Sequence, residues 1–287
     1  MDDFILITDS AADIAPDVLE QWGVPFVSLT YQFDDEPQAC ENFEKPFPAF
    51  YQKMRSGGVA RTSAINMDTF KQSFTPFLEQ GKDLLYISFS SGLSTTFQSS
   101  RLAMEELREQ FPERKLMTVD SLAASAGQGL LVKLAVDRKN AGASIEEVKR
   151  YVENTRLHVD HWFTVDDLVY LKRGGRVSAA KAFVGGLLNI KPVLHVDNDG
   201  HLINMSKARG RKASLKALAD KFGELVLDRD EQIFISHGDC LDDAKELERI
   251  LRENYGAKVS LITEIGPVIG AHSGPGTMAL FFVGRER

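Results

Sequence analysis

Short apolar runs alternate with helical patterns through the first half of the chain, and this alternation restricts the fold more than any other feature. The apolar runs predict strands at 4–10, 24–31, 84–90 and 115–121. The stretches between them predict helices at 15–23, 47–56, 67–80, 95–110 and 123–136. The polar segment 61–66 predicts a loop. Because strands that alternate with helices pair in parallel, this half predicts an open α/β sheet.

The pattern changes after a helix predicted at 144–158, which begins with Ser144 and Glu147 at capping-box spacing. Later segments predict a hairpin around an Asn-Asp-Gly turn at 191–208, strands at 161–167, 233–238 and 258–266, and a helix at 242–256. A hairpin combined with crossover helices indicates a mixed sheet. We therefore predict two domains, residues 1–156 with a parallel sheet and residues 157–287 as a two-layer α/β unit with a mixed sheet.

The charge balance disfavours nucleic acid as the partner of this chain. The 287 residues include 34 Lys and Arg against 41 Asp and Glu, and the basic residues are scattered rather than concentrated on one face. The acidic start lacks the positive charge of a secretory signal, and no apolar run approaches the roughly 20 residues of a membrane-spanning helix. Cys40 and Cys240 have no metal-binding or disulfide pattern around them. These features predict a soluble, cytoplasmic protein without a metal or cofactor, whose membrane contact is at most transient.

Three polar loops, 8–13, 89–95 and 119–125, follow predicted strands of the first half. In open α/β sheets, ligands bind beyond the carboxyl ends of the strands. Each loop has a Ser near the start of the next helix, where a hydroxyl can cap the helix or contribute to an anion site. Ser and Thr occupy most of segment 88–100, which gives this loop more hydroxyls than capping uses.

Ser94 is a candidate nucleophile with His272 as its base. A G-x-S-x-G elbow would have Gly two residues after the Ser, but this chain has Thr96 there, and no acidic partner of His272 is evident. A nucleotide-phosphate loop is disfavoured because neither G-x-x-x-x-G-K-[ST] nor G-x-G-x-x-G after a strand occurs. A stand-alone serine hydrolase acting on a lipid or acyl ester is therefore an alternative hypothesis.

Two glycine-containing segments offer further candidates. In Leu-Lys-Arg-Gly-Gly-Arg-Val-Ser (171–178), Arg173 and Arg176 can converge on one anion, or the glycines can end a helix with its basic residues in solvent. In 266–276, four Gly and two Pro surround His272, which favours close approach to a ligand. The small and apolar residues of 178–190 predict either core packing or one wall of a slot for a long apolar ligand.

Taken in order, these motifs resemble the DegV family over essentially the whole chain. The matching segments are Thr-Asp-Ser-Ala-Ala-Asp, Arg-Thr-Ser at 61–63, segment 90–100, Val-Asp-Ser before a small-residue helix, Tyr-Leu-Lys-Arg-Gly-Gly-Arg-Val-Ser, Asn-Ile-Lys-Pro-Val-Leu-His-Val-Asp-Asn-Asp-Gly and the closing Gly-x-His-x-Gly-Pro-Gly. The resemblance implies a two-domain fold, an α/β/α layer with a parallel sheet and a second α/β domain with a mixed sheet.

The resemblance also implies a function. Members of the family bind a long-chain fatty acid in an apolar tunnel between the domains, and some present its carboxylate to a separate ATP-binding subunit of fatty acid kinase, which forms an acyl phosphate for phospholipid synthesis. It implies that Thr62 and Ser94 hold the carboxylate and that Arg173 and His272 lie near it. We extend the expected lipid site to Ser63, Thr95 and Thr96, and the expected phosphate or partner contacts to Arg173, Arg176 and His272.

Two departures from the family pattern affect the expected head-group site. The family's Leu-Ser-Gly-Thr-Tyr is Leu-Ser-Thr-Thr-Phe here, so Thr95 adds a side chain, and Ile65 replaces the Pro of Thr-Ser-x-Pro. Both hydroxyl positions, Thr62 and Ser94, are retained. A lipid-sensing regulatory protein would use the same site residues, so it is a second alternative hypothesis.

Overall fold

The first half of the chain contains a parallel sheet, as predicted. A computed structural model describes residues 4–177 and 189–287. The sheet contains β1 (Phe4–Asp9), β2 (Phe26–Val27), β6 (Asp83–Ser88) and β7 (Leu116–Asp120), in the order β2-β1-β6-β7. All of its strand pairs are parallel. The carboxyl ends of β1, β6 and β7 therefore lie side by side at one edge.

A second, antiparallel sheet was not predicted. It contains β3 (Thr30–Phe33), β4 (Cys40–Glu41) and β5 (Ala60–Ser63), in the order β4-β3-β5. The strand predicted at 24–31 is thus two strands in different sheets, and the loop predicted at 61–66 was wrong for its first residues. β5 forms because Tyr31 pairs with Thr62 across the two strands, a long-range contact that overrides the polar local sequence.

The helices of the first half agree with the predicted positions to within a few residues. They are α1 (Pro16–Gln21), α2 (Phe47–Arg55), α3 (Met67–Glu79), α4 (Thr96–Gln110), α5 (Ala126–Asn140) and α6 (Ile145–Thr155). The predicted capping box of α6 is present, since Glu147 N donates to Ser144 Oγ and Ser144 N donates to the Glu147 carboxylate at 2.8 Å. It supplies partners for backbone groups that the helix leaves unpaired at its start.

The second half contains a six-stranded mixed sheet. Its strands are β8 (Val159–Thr164), β9 (Ile190–Val196), β10 (Leu202–Arg209), β11 (Phe234–His237), β12 (Leu261–Glu264) and β13 (Met278–Val283). The order is β10-β9-β8-β13-β11-β12, and only the β11–β12 pair is parallel. The helices are α7 (Val169–Gly174), α8 (Arg211–Leu225), α9 (Leu241–Tyr255) and α10 (Pro267–Ser273). The apolar segment 178–190 lies outside the described residues except for its last two.

Helix α5 packs against strands of both the parallel and the mixed sheet. It contacts β1 and β6 on one side and β8, β11 and β13 on the other. Ten of its fifteen residues are buried, which is typical of a helix enclosed on all sides. The largest hydrophobic cluster accordingly runs without a break from residues such as Leu85 in β6 to residues such as Phe281 in β13.

The β9–β10 hairpin turn lies on the loop that follows β6. Ser90 Oγ donates to Gly200 O at 2.9 Å, across the two halves of the chain. Gly92 is close to the same turn, since a Cβ added to it would lie 2.7 Å from Asp199 O. The glycine of the hydroxyl-rich segment is therefore required by close packing against the hairpin.

Candidate functional site

A cavity of about 460 Å³ lies where the two halves meet. Its buried wall is mainly apolar and comes from both halves, as illustrated by Phe89 and Leu93 from the loop after β6 and by Leu171, Val268 and Phe281. The buried polar residues in this wall are Ser125, His161, Ser273 and Thr277. Exposed or half-buried polar residues line another part of it. These are Thr62, Ser63, Ser91, Ser94, Thr95, Arg176 and His272. The cavity thus has an apolar interior and a polar mouth.

The mouth brings together Thr62 and His272, which are 210 positions apart. Thr62 Oγ1 lies 2.7 Å from His272 Nε2. Strand β5 positions Thr62 and helix α10 positions His272, and these two elements are in contact. His272 Nδ1 has no hydrogen-bond partner within the described residues, and it faces Gly174, where an added Cβ would lie 2.2 Å away.

The imidazole of His272 is uncharged near neutral pH. Burial lowers its pKa to about 4, and the nearby Arg176 guanidinium acts in the same direction. A neutral ring has one donor nitrogen and one acceptor nitrogen. When His272 donates from Nε2, Thr62 Oγ1 accepts that hydrogen bond. The hydroxyl hydrogen of Thr62 is then available to donate to a ligand.

Ser94 lies just before the first turn of α4. Its Oγ accepts from Thr96 N at 3.2 Å and lies 2.9 Å from Thr96 Oγ1. Thr96 is fully buried, so its hydroxyl supports Ser94 rather than lining the mouth. Thr95 occupies the N-cap position with φ −77°, a conformation that needs no glycine, and its exposed side chain lines the cavity.

The two arginines of the Arg-Gly-Gly-Arg segment do not converge. Arg176 lines the cavity, and its Nε donates to Leu93 O at 3.4 Å. Arg173 instead lies with its guanidinium 5.9 Å from the centre of the Tyr170 ring. The two glycines instead end a helix, which was the other interpretation of this segment. Gly175 is the C-cap of α7 and has the left-handed conformation, φ 68°. Among the described residues that line the cavity, Arg176 is therefore the cation at the mouth.

Ser94 and His272 are not arranged as a nucleophile and its base. His272 Nε2 pairs with Thr62, and Ser94 pairs with Thr96. Proton transfer from a nucleophile requires its base within hydrogen-bond reach. The hydrolase hypothesis therefore gains no support from this geometry.

A buried polar cluster beneath the cavity was missed by the sequence reasoning. Ser125 lines the cavity in a strained conformation, φ 52°, and its Oγ donates to Asp13 Oδ2 at 2.6 Å. Gly266 N donates to the other oxygen of Asp13 at 2.9 Å. Burial raises the pKa of Asp13 to about 8. Ser125 is the N-cap residue of α5, but its hydroxyl makes no capping bond and instead lies 2.9 Å from Ser236 Oγ, across the two halves of the molecule.

His161 is a second residue that the sequence gave no reason to select. It lies in the middle of β8, and alternation in a predicted strand does not reveal which polar side chain faces a cavity. Its side chain is 1% exposed and lines the apolar wall.

Comparison with known proteins identifies the family. A family model described as "Uncharacterised protein, DegV family" matches residues 3–285. The chain belongs to the DegV family. A DegV domain-containing protein of Clostridium perfringens is 42% identical over 287 residues, which span 99% of this DegV chain and 98% of the relative. A second such protein, from Streptococcus pyogenes, is 34% identical over 99% of both chains.

Solved structures of DegV proteins share the fold of this one. A DegV family protein from Thermus thermophilus, described by its fatty acid binding, has a TM-score of 0.87 and 31% identity, with 97% of this chain and 98% of that one covered. A DegV lipid-binding protein of Thermotoga maritima has a TM-score of 0.85 and 29% identity, with 99% of each covered. A fatty acid binding DegV of Bacillus subtilis has a TM-score of 0.84 and 26% identity, with 99% and 100% covered. The predicted α/β fold with a parallel and a mixed sheet is thereby confirmed.

Within the described parts of this DegV chain, no helix combines the length and the apolar character needed to cross a bilayer.

Proposed function

We propose that this protein binds one long-chain fatty acid in the cavity, with the alkyl chain in the apolar interior and the carboxylate at the polar mouth. The observation that carries the proposal is the arrangement of the cavity itself, an apolar wall from both halves that ends at Thr62, Ser94, Arg176 and His272. The DegV relatives described as fatty acid binding proteins support this ligand class.

The apolar wall supplies the affinity. Burial of an alkyl chain contributes about 0.8 kcal/mol per methylene, so some fifteen methylenes give on the order of 12 kcal/mol before the costs of binding. A single hydrogen bond contributes roughly 1 kcal/mol net. The interior therefore retains the lipid, and the polar mouth decides which end of it faces outward.

The mouth suits a carboxylate. The Thr62 hydroxyl, the Ser94 hydroxyl at the start of α4 and the Arg176 guanidinium all lie there. An anion is favoured near the positive end of a helix and beside a guanidinium. His272 is uncharged, so its contribution is to orient Thr62 rather than to neutralise the ligand.

We further propose that the protein is a carrier without catalysis of its own and that a separate ATP-binding kinase subunit phosphorylates the carboxylate. The carboxylate would lie at a mouth lined by exposed residues, where a partner can reach it. Arg173 and Arg176 are exposed on the same segment and are candidates to contact that partner or the incoming phosphate. A partner that uses ATP implies a cytoplasmic location.

Organic extraction of the purified protein tests the ligand. Protein made in lipid-replete cells is expected to yield close to one fatty acid per chain by mass spectrometry. An empty extract, together with no binding of added fatty acid, would exclude the proposed function.

Reconstitution with a fatty acid kinase catalytic subunit tests the carrier role. Ser94→Ala is expected to reduce acyl-phosphate formation more than it reduces lipid retention, because Ser94 sets the position of the carboxylate rather than the affinity of the chain. Acyl phosphate formed at the wild-type rate by Ser94→Ala would contradict this role. Labelling of Ser94 by a serine-reactive phosphonate would favour a hydrolase instead.

A further inference from the structure

His272 lies on a short helix whose start is capped from elsewhere in the chain. Helix α10 has seven residues, and its N-cap, Gly266, makes no side-chain capping bond. The first N–H groups of a helix have no partner within the helix itself. Pro267 has no N–H, and Val268 N donates to Asn42 Oδ1 at 2.8 Å. The residue that caps α10 is thus 226 positions away from it in sequence.

Asn42 bridges the start of α10 to the loop that follows β1. It lies directly after β4 and is fully buried. Its Nδ2 donates to Ser10 O at 3.0 Å, while its Oδ1 accepts from Val268 N. Gly266 makes room for this amide, since an added Cβ would lie 2.3 Å from Asn42 Nδ2. The amide therefore uses one donor and one acceptor in fixed directions.

Tyr51 of α2 holds the same helix. Its side chain is 1% exposed, and its hydroxyl donates to Ile265 O, just before α10, at 2.7 Å. Gly270 of α10 lies against this hydroxyl, where an added Cβ would be 2.6 Å from Tyr51 Oη. Ala271, next to His272, belongs to the hydrophobic cluster that contains Tyr51 and Phe50. Helix α10 is therefore fixed against α2 by hydrogen bonding and by close packing.

The elements that hold α10 also carry Thr62. Strand β3 pairs with β4 on one side and with β5, which contains Thr62, on the other. Tyr31 of β3 packs edge-on against Phe50 of α2, with ring centroids 5.2 Å apart. Thr62 and the residues that fix α10 thus belong to one packed unit. The 2.7 Å contact between Thr62 Oγ1 and His272 Nε2 depends on how this unit and α10 fit together.

We propose that Asn42 and Tyr51 are positioning residues for the carboxylate site, which fix α10 so that His272 meets Thr62 and the Thr62 hydroxyl is held towards the ligand. The inference rests on the proposed fatty acid function and extends its machinery to residues behind the mouth. Neither residue is among the described residues that line the cavity, so each acts through α10 rather than by touching the lipid.

A double-mutant cycle with palmitate tests this role. Asn42→Leu keeps the approximate size of the side chain and removes both hydrogen bonds, so palmitate binding should weaken by about tenfold. In the Thr62→Val background, the same substitution should change the affinity by less than about twofold, because the hydroxyl that Asn42 positions is already absent. General loosening of the cavity would instead weaken binding by the same factor in both backgrounds. That additive result would overturn the inference.

Tyr51→Phe covers the case in which Asn42→Leu does not fold, because it removes a single oxygen atom and keeps the ring. Its effect on palmitate binding should be smaller, roughly threefold, and should also disappear in the Thr62→Val background. The labelled imidazole nitrogens of His272 give a reading that does not depend on affinity. We expect the Nε2 resonance to shift in Tyr51→Phe without any ligand. A wild-type resonance in this variant would overturn the inference.

Ser144→Ala is the control for the loss of a helix cap. Ser144 Oγ accepts from Glu147 N at the start of α6, which contributes none of the described residues that line the cavity. This variant should be less stable than the wild-type protein and should bind palmitate with the wild-type affinity. Additive effects in the cycle, with palmitate bound by the wild-type protein, overturn only the positioning role. A wild-type protein that binds no palmitate or other fatty acid overturns the proposed function and this inference with it.

Discussion

Thr62 and His272 form a hydrogen-bonded pair at the mouth of the cavity. Thr62 can donate to a carboxylate because an uncharged His272 can donate to Thr62. Each residue alone is an ordinary polar side chain. Together they present a donor at the end of an apolar cavity.

Thr62→Val tests this pair, because valine keeps the shape of threonine and removes the hydroxyl. We expect fatty acid binding to weaken by about tenfold to a hundredfold, the effect of one lost hydrogen bond to a charged group, as measured by titration calorimetry. Thr62→Ser keeps the hydroxyl and should bind close to the wild-type affinity. Equal binding by Thr62→Val and Thr62→Ser would show that the hydroxyl does not contact the ligand.

Asp13 makes the stability of the fold depend on pH. Its pKa is raised from 3.8 to about 8 by burial, so the folded state holds a proton that the unfolded state releases within that interval. The stability from Asp13 is therefore complete below the unfolded pKa and is lost as the pH rises through about 8. Asp13→Asn removes this effect, and asparagine tolerates the left-handed backbone found there.

As the pH rises towards 8, we expect the melting temperature of the wild-type protein to fall relative to that of Asp13→Asn. Thermal unfolding of both proteins across this pH range checks the prediction. Because both proteins contain the same buried histidines, the difference between their melting temperatures reports the effect of Asp13. A pH-independent difference between the two melting temperatures would contradict the assignment.

Single residues of the site were predictable only where a motif marked them. Thr62, Ser94 and His272 stood out because their segments match a family pattern, and the structure brings all three to one cavity. The contact of Ser125 with Asp13 joins residues 112 positions apart, which no local pattern encodes. The resemblance placed Arg173 near the carboxylate, but Arg176 is the one of the two arginines that lines the cavity, because the end of α7 decides their directions.

At the scale of elements, the β9–β10 hairpin and the loop after β6 fit each other closely. Gly92→Ala would bring a Cβ to 2.7 Å from Asp199 O and 2.9 Å from Gly200 O, and both are backbone atoms that cannot move aside cheaply. We expect a loss of about 1–3 kcal/mol in the free energy of unfolding, measured with denaturant. Val196 and Leu202, next to this turn, line the cavity, so lipid binding should weaken as well.

Ser91→Ala is the control for this substitution because Ser91 is the exposed neighbour of Gly92. It should change the free energy of unfolding by only a few tenths of a kcal/mol. If Gly92→Ala were as stable as Ser91→Ala, the result would contradict the close packing of the β9–β10 hairpin against Gly92.

The helices of the first half were predictable because hydrophobic periodicity and caps are local signals. The capping box at Ser144 and Glu147 placed the start of α6 correctly. Strand β5 was not predictable in this way, because its residues Arg61, Thr62 and Ser63 become a strand only by pairing with β3. Strand β5, which carries Thr62, was therefore missed, and helices α7, α8 and α10 and strand β13 of the second half were also not predicted.

At the scale of the whole molecule, the predicted boundary at 156 separates the two main sheets but not the hydrophobic core. The strands before it belong to the parallel and three-stranded sheets, and those after it belong to the mixed sheet. The main hydrophobic cluster includes residues from both sides, for example Leu130 and Phe163. The boundary itself stays a prediction.

The continuous core predicts that the two halves unfold together. We expect a single thermal transition whose midpoint is the same by near-ultraviolet and far-ultraviolet circular dichroism, and fatty acid should raise it. Two separate transitions would show that the halves are independent domains despite their shared core.

The position of α5 has a consequence for the exchange of segments between relatives. This helix is encoded before residue 156, yet its surface fits β8, β11 and β13, which are encoded after it. A chimera joined at the boundary would take α5 from one protein and the mixed sheet from another. The surface of α5 would then face a mixed sheet to which it is not matched. Because the cavity is lined by residues from both halves, transplanting the proposed lipid preference between relatives requires α5 to travel with the second half.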